Sequence, residues 1–190
     1  ELLMKLIKEI GDWIYSLAIA LVLAIFINAF VFQPTRVVGS SMEPNLHNND
    51  YVFVSKLSHT FSGMPEYGDI VIIDSRVFRD RSIKDDLADP VSTYLSVAKL
   101  TDVGKHIWIK RVIGKPGDVI EIKDGKLYRS GALLDEPYIK DTMNTATSKM
   151  VTIPPGQVYV MGDNRNNSSD SRYIGPIPVS HVLGKVVMVL

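Results

Sequence analysis

Cysteine is absent from the 190 residues, so neither a disulfide framework nor a thiolate metal site is open to this chain. Surplus charge is absent as well. Lys+Arg and Asp+Glu both number 21, and that balance gives no electrostatic reason for a nucleic-acid partner, which normally calls for a basic excess. Histidine is scarce: His47, His59, His106 and His181 are scattered without a common motif. No internal repeat is visible. Glycine and proline are ordinary in number but gather in short turn signals beyond residue 60. The length allows one substantial domain or two small lobes sharing a core.

What the chain does have is an uninterrupted apolar run. Trp13 to Phe32 (WIYSLAIALVLAIFINAFVF) carries no charge, and Ser16 and Asn28 are its only strongly polar residues. As a helix it covers roughly 30 Å, the thickness of a bilayer's hydrocarbon core. Trp13 and Tyr15 suit the headgroup layer at one end. A cleavable leader predicts a shorter apolar core and a small-x-small site after it, whereas Gln33, Pro34, Thr35 and Arg36 follow here. The run therefore reads as an uncleaved anchor at 13–32. Lys5 and Lys8 before it, against Arg36 after it, place segment 1–12 in the cytoplasm and residues 33–190 outside.

Beyond Pro34 the pattern turns to short runs rich in Val, Ile and Tyr, bounded by Gly, Pro, Asn and Asp. Strands are predicted at Tyr51–Ser55, Asp69–Asp74, Ile107–Ile113, Val119–Lys123, Lys126–Tyr128, Lys149–Ile153, Gln157–Met161 and Gly184–Val189. Asp124-Gly125 is a hairpin signal, and Pro116-Gly117 and Pro155-Gly156 mark further turns. The fold class is mainly β: a transmembrane helix, then an antiparallel β domain. Residues 76–105 read as an insertion, first charged and then mildly apolar. Its acids Asp80, Asp85, Asp86 and Asp89 fit no metal-ligand spacing and read as a solvated face, so no metal and no cofactor are expected.

Three segments carry chemistry. The first is Gly39-Ser40-Ser41-Met42-Glu43-Pro44-Asn45-Leu46. A loop serine is ordinarily a turn former, but Gly39 permits close backbone approach and Pro44 rigidifies the exit. As a nucleophile, Ser41 needs a base. A Ser–His–Asp triad stays open, since triads are set by geometry and not by order.

The second segment, Lys110-Arg111-Val112-Ile113-Gly114-Lys115-Pro116-Gly117-Asp118, offers another base. On a strand, Trp108, Lys110 and Val112 share one face. Burying that face would lower the lysine pKa from about 10.4 to near 7–8, at roughly 3–5 kcal/mol, and give a usable neutral amine. Taken alone, the run reads more simply as an edge strand whose lysine snorkels to water.

The third segment, Gly162-Asp163-Asn164-Arg165-Asn166-Asn167-Ser168-Ser169-Asp170-Ser171-Arg172, is a dense polar loop. It fails as a calcium loop: Arg165 and Ser168 stand where an acid and a glycine belong, and no Glu closes it. It also contains two glycosylation sequons, a pattern with many false positives. Its mix of acids, amides, hydroxyls and arginines suits a network that holds a catalytic amine.

Taken in order, these segments resemble the signature boxes of bacterial type I signal peptidases, with Gly68-Asp69-Ile70-Val71 as a further box. The single anchor and compact domain look like the Gram-positive type. The resemblance implies a serine endopeptidase with Ser41 as nucleophile and Lys110 as general base. It implies that the Ser168 hydroxyl orients the lysine, and that Asp163, Asp170, Arg111 and Arg172 form a supporting salt-bridge network. Gly39 falls where some relatives place an oxyanion-binding serine, leaving the Ser41 N–H, assisted by Ser40 or water. Asn45 replaces a common threonine. The implied substrates are preprotein signal peptides with small residues (Ala-x-Ala) before the cut. They would bind as an added strand beside Thr35–Gly39, with Thr35, Val37, Val38 and Met42 in contact. The implied setting is the cell membrane, with the lipid bilayer as second partner. Rival readings are a self-cleaving repressor-type Ser–Lys protease, which the apolar span argues against, and a membrane-tethered β binding module without catalysis.

Overall fold

The computed structural model describes residues 1–57, 63–82, 84, 85, 88, 106–145 and 147–190. Helix α1 runs Leu2–Phe30, about 44 Å at 1.5 Å per residue. It starts at Leu2 rather than Trp13, because Leu3, Leu6, Ile7 and Ile10 alternate with charged residues that are themselves good helix formers. Within it Leu3–Ile27 is long and apolar enough to cross a membrane, and none of that stretch is buried against the rest of the chain. Val31 caps the helix, and Phe32, placed in the anchor by its hydropathy, opens a strand instead.

Among the described residues eleven strands follow: β1 (Phe32–Arg36), β2 (Tyr51–Ser55), β3 (Ile70–Asp74), β4 (Ile107–Gly114), β5 (Val119–Lys123), β6 (Lys126–Arg129), β7 (Ala132–Leu133), β8 (Val151–Thr152), β9 (Gln157–Met161), β10 (Ile177–Pro178) and β11 (Val182–Val189). A one-turn helix, α2 (Ser171–Ile174), precedes β10. The chain is mainly β, as its residues predict, and every strand pairing among the described residues is antiparallel. Seven strands form one sheet in the order β1-β2-β11-β3-β4-β9-β10, and four form another, β7-β6-β5-β8. Asp124-Gly125 closes the β5–β6 hairpin with both residues at positive φ.

Lys110 does not lie on an edge strand. β4 sits between β3 and β9, so the lysine is in the interior of the larger sheet. The turn after Gly39 is fastened by Met42 and Leu46, both buried in a cluster with Val37, Val52, Val54 and Ile72. Most of the 76–105 insertion (83, 86, 87 and 89–105, with Asp86 and Asp89) lies outside the described residues. At its base, the buried Asp74 carboxylate accepts hydrogen bonds from Arg76 and Arg81, while Arg79 pairs with Asp85.

One row of cross-strand partners matters for the site. Phe32 pairs with Ser55, Ser55 with Lys185, Lys185 with Val71, and Val71 with Lys110. The first strand residue after the apolar helix and the buried lysine thus belong to one rung of the sheet.

Candidate active site

Ser41 sits in a tight turn. Glu43 N donates to the Ser40 carbonyl, and Asn45 N and Leu46 N both donate to Met42 O. Gly39 enters the turn at φ +92, a conformation costly for other residues, and its N–H donates to Asn48 Oδ1. The polar loop grips the turn from the other side. Asn164 donates through its backbone N–H to Ser41 O and through its side chain to Ser40 O, both at 3.0 Å. Asn167 Nδ2 donates to Ser40 Oγ at 2.8 Å.

Lys110 Nζ lies 2.9 Å from Ser41 Oγ and donates to the Ile109 carbonyl at 2.9 Å. The residue is 4% exposed, with its amine 5.6 Å from the Trp108 ring centroid, as expected for alternate residues on one strand face. Burial is the main force lowering its pKa, to about 8. The Asp170 charge opposes that drop, Arg172 adds to it, and Asp163 opposes it again.

Two ion pairs frame the amine. Arg111, pointing away from Lys110 along β4, gives Asp163 a bidentate bond at 2.8 and 2.6 Å. Asn45 Nδ2 adds a third donor to that carboxylate at 2.8 Å. Arg172 grips the fully buried Asp170 at 2.8 Å through each of two nitrogens. Burial alone would raise the Asp170 pKa, but Arg172, the Gly162 N–H and the Ser168 hydroxyl together hold it below its usual value. The Ser168 hydroxyl donates to Asp170 Oδ2 at 2.8 Å. That carboxylate also acts on the Lys110 amine by its charge.

No histidine is hydrogen-bonded to Ser41 among the described residues. His47 faces Asp50, His181 is buried against the Asp74 carbonyl, and His59 lies outside the described residues. Of the four residues expected to meet substrate, Met42 and Val37 pack into the core, because the turn needs apolar anchors there. Thr35 is half-buried on β1, and Val38 is 85% exposed.

No sequence pattern singles out Glu136, Tyr138, Asn164 or Asn167 as individuals. Glu136 forms a buried bidentate pair with Arg165 at 2.8 and 2.6 Å, and the Arg165 guanidinium also donates to Gly162 O. Glu136 and Tyr138 stand in an unremarkable loop, and only the fold brings them to the site.

β1 is an edge strand of the larger sheet. Val31 O accepts from Lys56 N, and Val37 N donates to Asp50 O, so odd-numbered residues of β1 bond inward. Even-numbered residues face the open edge. Pro34, which has no N–H to offer, falls on that side, leaving Phe32, Arg36 and, just past the strand, Val38 as donors.

Residues 10–190 match the family described as signal peptidase, peptidase S26. The chain is 35% identical over 187 residues to signal peptidase I of Bacillus licheniformis, covering 93% of this chain and 86% of that protein. It is 38% identical over 168 residues to a probable signal peptidase I-1 of Synechocystis, covering 88% and 76%. A crystal structure of a signal peptidase I from Enterococcus faecalis is 25% identical, with a TM-score of 0.44 over 65% of this chain and 97% of that one. With the match running over nearly the whole length, the chain belongs to the S26 signal peptidase family and is a serine peptidase.

Proposed function

We propose that this chain is a membrane-anchored endopeptidase that removes signal peptides from exported preproteins, using Ser41 as nucleophile and Lys110 as general base. The observation that carries the reading is the 2.9 Å separation of Lys110 Nζ and Ser41 Oγ around a buried amine with a pKa of about 8.

Neutral Lys110 takes the Ser41 proton as Oγ attacks the scissile carbonyl. The Ser41 N–H, which has no partner among the described residues, donates to the oxyanion. The Ser40 hydroxyl, whose oxygen already accepts from Asn167, keeps its own proton for donation nearby. The lysine ammonium then protonates the departing amine, which leaves an ester on Ser41. Neutral again, Lys110 deprotonates a water that hydrolyses the ester and restores Ser41. Asp170 and Asp163 steady the ammonium formed in each cycle.

Substrate docks as an extended strand at the open edge of β1, using the donors at Arg36 and Val38, with small side chains before the cut. Residues 13–32 anchor the enzyme, residues 1–12 lie in the cytoplasm, and 33–190 lie outside, with 76–105 inserted. The rung shared by Phe32 and Lys110 supports a site held at the membrane surface. There the effective concentration of tethered preproteins is raised.

Mass spectrometry of enzyme quenched during preprotein turnover tests the chemistry. The expected adduct is an acyl group on the peptide containing Ser41. Full cleavage by Ser41→Ala would sink the reading.

A further inference from the structure

Tyr138 belongs to none of the three segments that carry the chemistry, yet it touches two of them and reaches the third through Glu136. Its carbonyl accepts from Asn45 Nδ2 at 2.6 Å, on the nucleophile turn. Its ring lies against the guanidinium of Arg111, 4.2 Å from the centroid, one residue from Lys110 on β4. Its hydroxyl donates to Glu136 Oε1 at 3.0 Å, and Glu136 in turn pairs with Arg165 of the polar loop. Burial and the Glu136 charge push the phenol pKa up, so the hydroxyl stays a donor. Lys140, two residues on, repeats the pattern: its N–H donates to Asp163 O at 3.0 Å and its amine to Glu43 Oε2 at 2.7 Å.

Ser41 and Lys110 are 69 residues apart and sit on separate segments, so something must fix their spacing. Proton transfer tolerates little error in that distance, and a shift of about 1 Å costs on the order of 10²-fold in rate. We propose that Tyr138 is a positioning residue, fastening the nucleophile turn, the lysine strand and the polar loop to one point and thereby setting the distance between Ser41 and Lys110. It touches no reacting atom.

The inference rests on the Ser–Lys reading, and one set of measurements separates the two. The kcat, KM and pH dependence of kcat/KM are measured for wild type, Tyr138→Ala, Tyr138→Phe and Lys110→Met, each with its thermal melt. Tyr138→Ala is expected to lose about 10–100-fold in kcat with KM within about threefold. Its pH midpoint is expected to rise, because a loosened site lets water reach an amine otherwise surrounded by Trp108 and the charges of Asp170, Arg172 and Asp163. Both variants keep the backbone carbonyl that holds Asn45; Tyr138→Phe also keeps the ring against Arg111 and loses only the hydroxyl bond to Glu136, so it is expected to lose less kcat than Tyr138→Ala, with a smaller rise in the midpoint. If Tyr138→Ala does not fold, Tyr138→Leu replaces it with the same expectation. An unchanged kcat, or a lost kcat with an unmoved midpoint, overturns the role of Tyr138 while Lys110→Met stays inactive. An active Lys110→Met overturns the underlying Ser–Lys reading instead.

Discussion

Gly162 lies flush against Ser41: a Cβ at position 162 would stand 2.5 Å from the Ser41 carbonyl oxygen and closer still to the Ser168 hydroxyl. A side chain at 162 therefore cannot enter without displacing the Ser41 turn or the Ser168 side chain. Gly162→Ala is expected to cut peptide cleavage by about 100-fold or more and to lower stability by about 1–3 kcal/mol in denaturant titration. Wild-type activity in that variant would mean the Ser41 turn has slack that the packing does not suggest.

Lys110 is expected to weaken the fold it serves. Its folded pKa, about 8, lies below the unfolded value near 10.4, so the unfolded chain binds more protons between those limits. Stability from this group therefore rises with pH across that window, and below it the buried ammonium costs about 3 kcal/mol. Lys110→Met is expected to be more stable than wild type at pH 7, with the gap closing from pH 8 upward. Denaturant midpoints of the two proteins from pH 6 to 10.5 check this, and a gap constant in pH would contradict it.

Much of this was legible beforehand, and the exceptions have physical causes. Tyr51–Ser55, Val119–Lys123 and Gln157–Met161 stand in the structure with their expected bounds, each an apolar or alternating run closed by turn residues. β1 escaped notice because the apolar run masks its start and Pro34 sits inside it, harmless only because the strand is an edge. β7 and β10 have two residues each, too few to show a period. Lys149–Ile153 shortens to Val151–Thr152 because the pairing with β5 slips out of register before Val151: Ile122 N donates to the Ser148 hydroxyl, and Lys123 bridges Thr147. In the site, alternation placed Lys110 beside Trp108 and Val112, but no sequence pattern reveals that β4 would be central and the amine buried. Tyr138 and Glu136 were beyond reach because their roles depend on contacts across long stretches of chain.

The helix invites a separate test. Removing residues 1–31 is expected to release the enzyme from membranes while leaving kcat on a short soluble peptide within a few-fold. Cleavage of a preprotein embedded in vesicles is expected to fall by about 10²–10⁴-fold, since the two partners no longer share a surface. Flotation on a density gradient reports the binding. Equal loss on both substrates would assign the helix a part in shaping the site itself.

The pH–rate profile of wild type beside Lys110→Met bears most directly on the buried amine. Below its pKa the rate should climb about tenfold per pH unit and level off above pH 8, as the neutral form fills. Lys110→Met should show no measurable cleavage at any pH. A profile centred near 6.5, or substantial turnover without the lysine, would hand the proton transfer to another group and contradict the account.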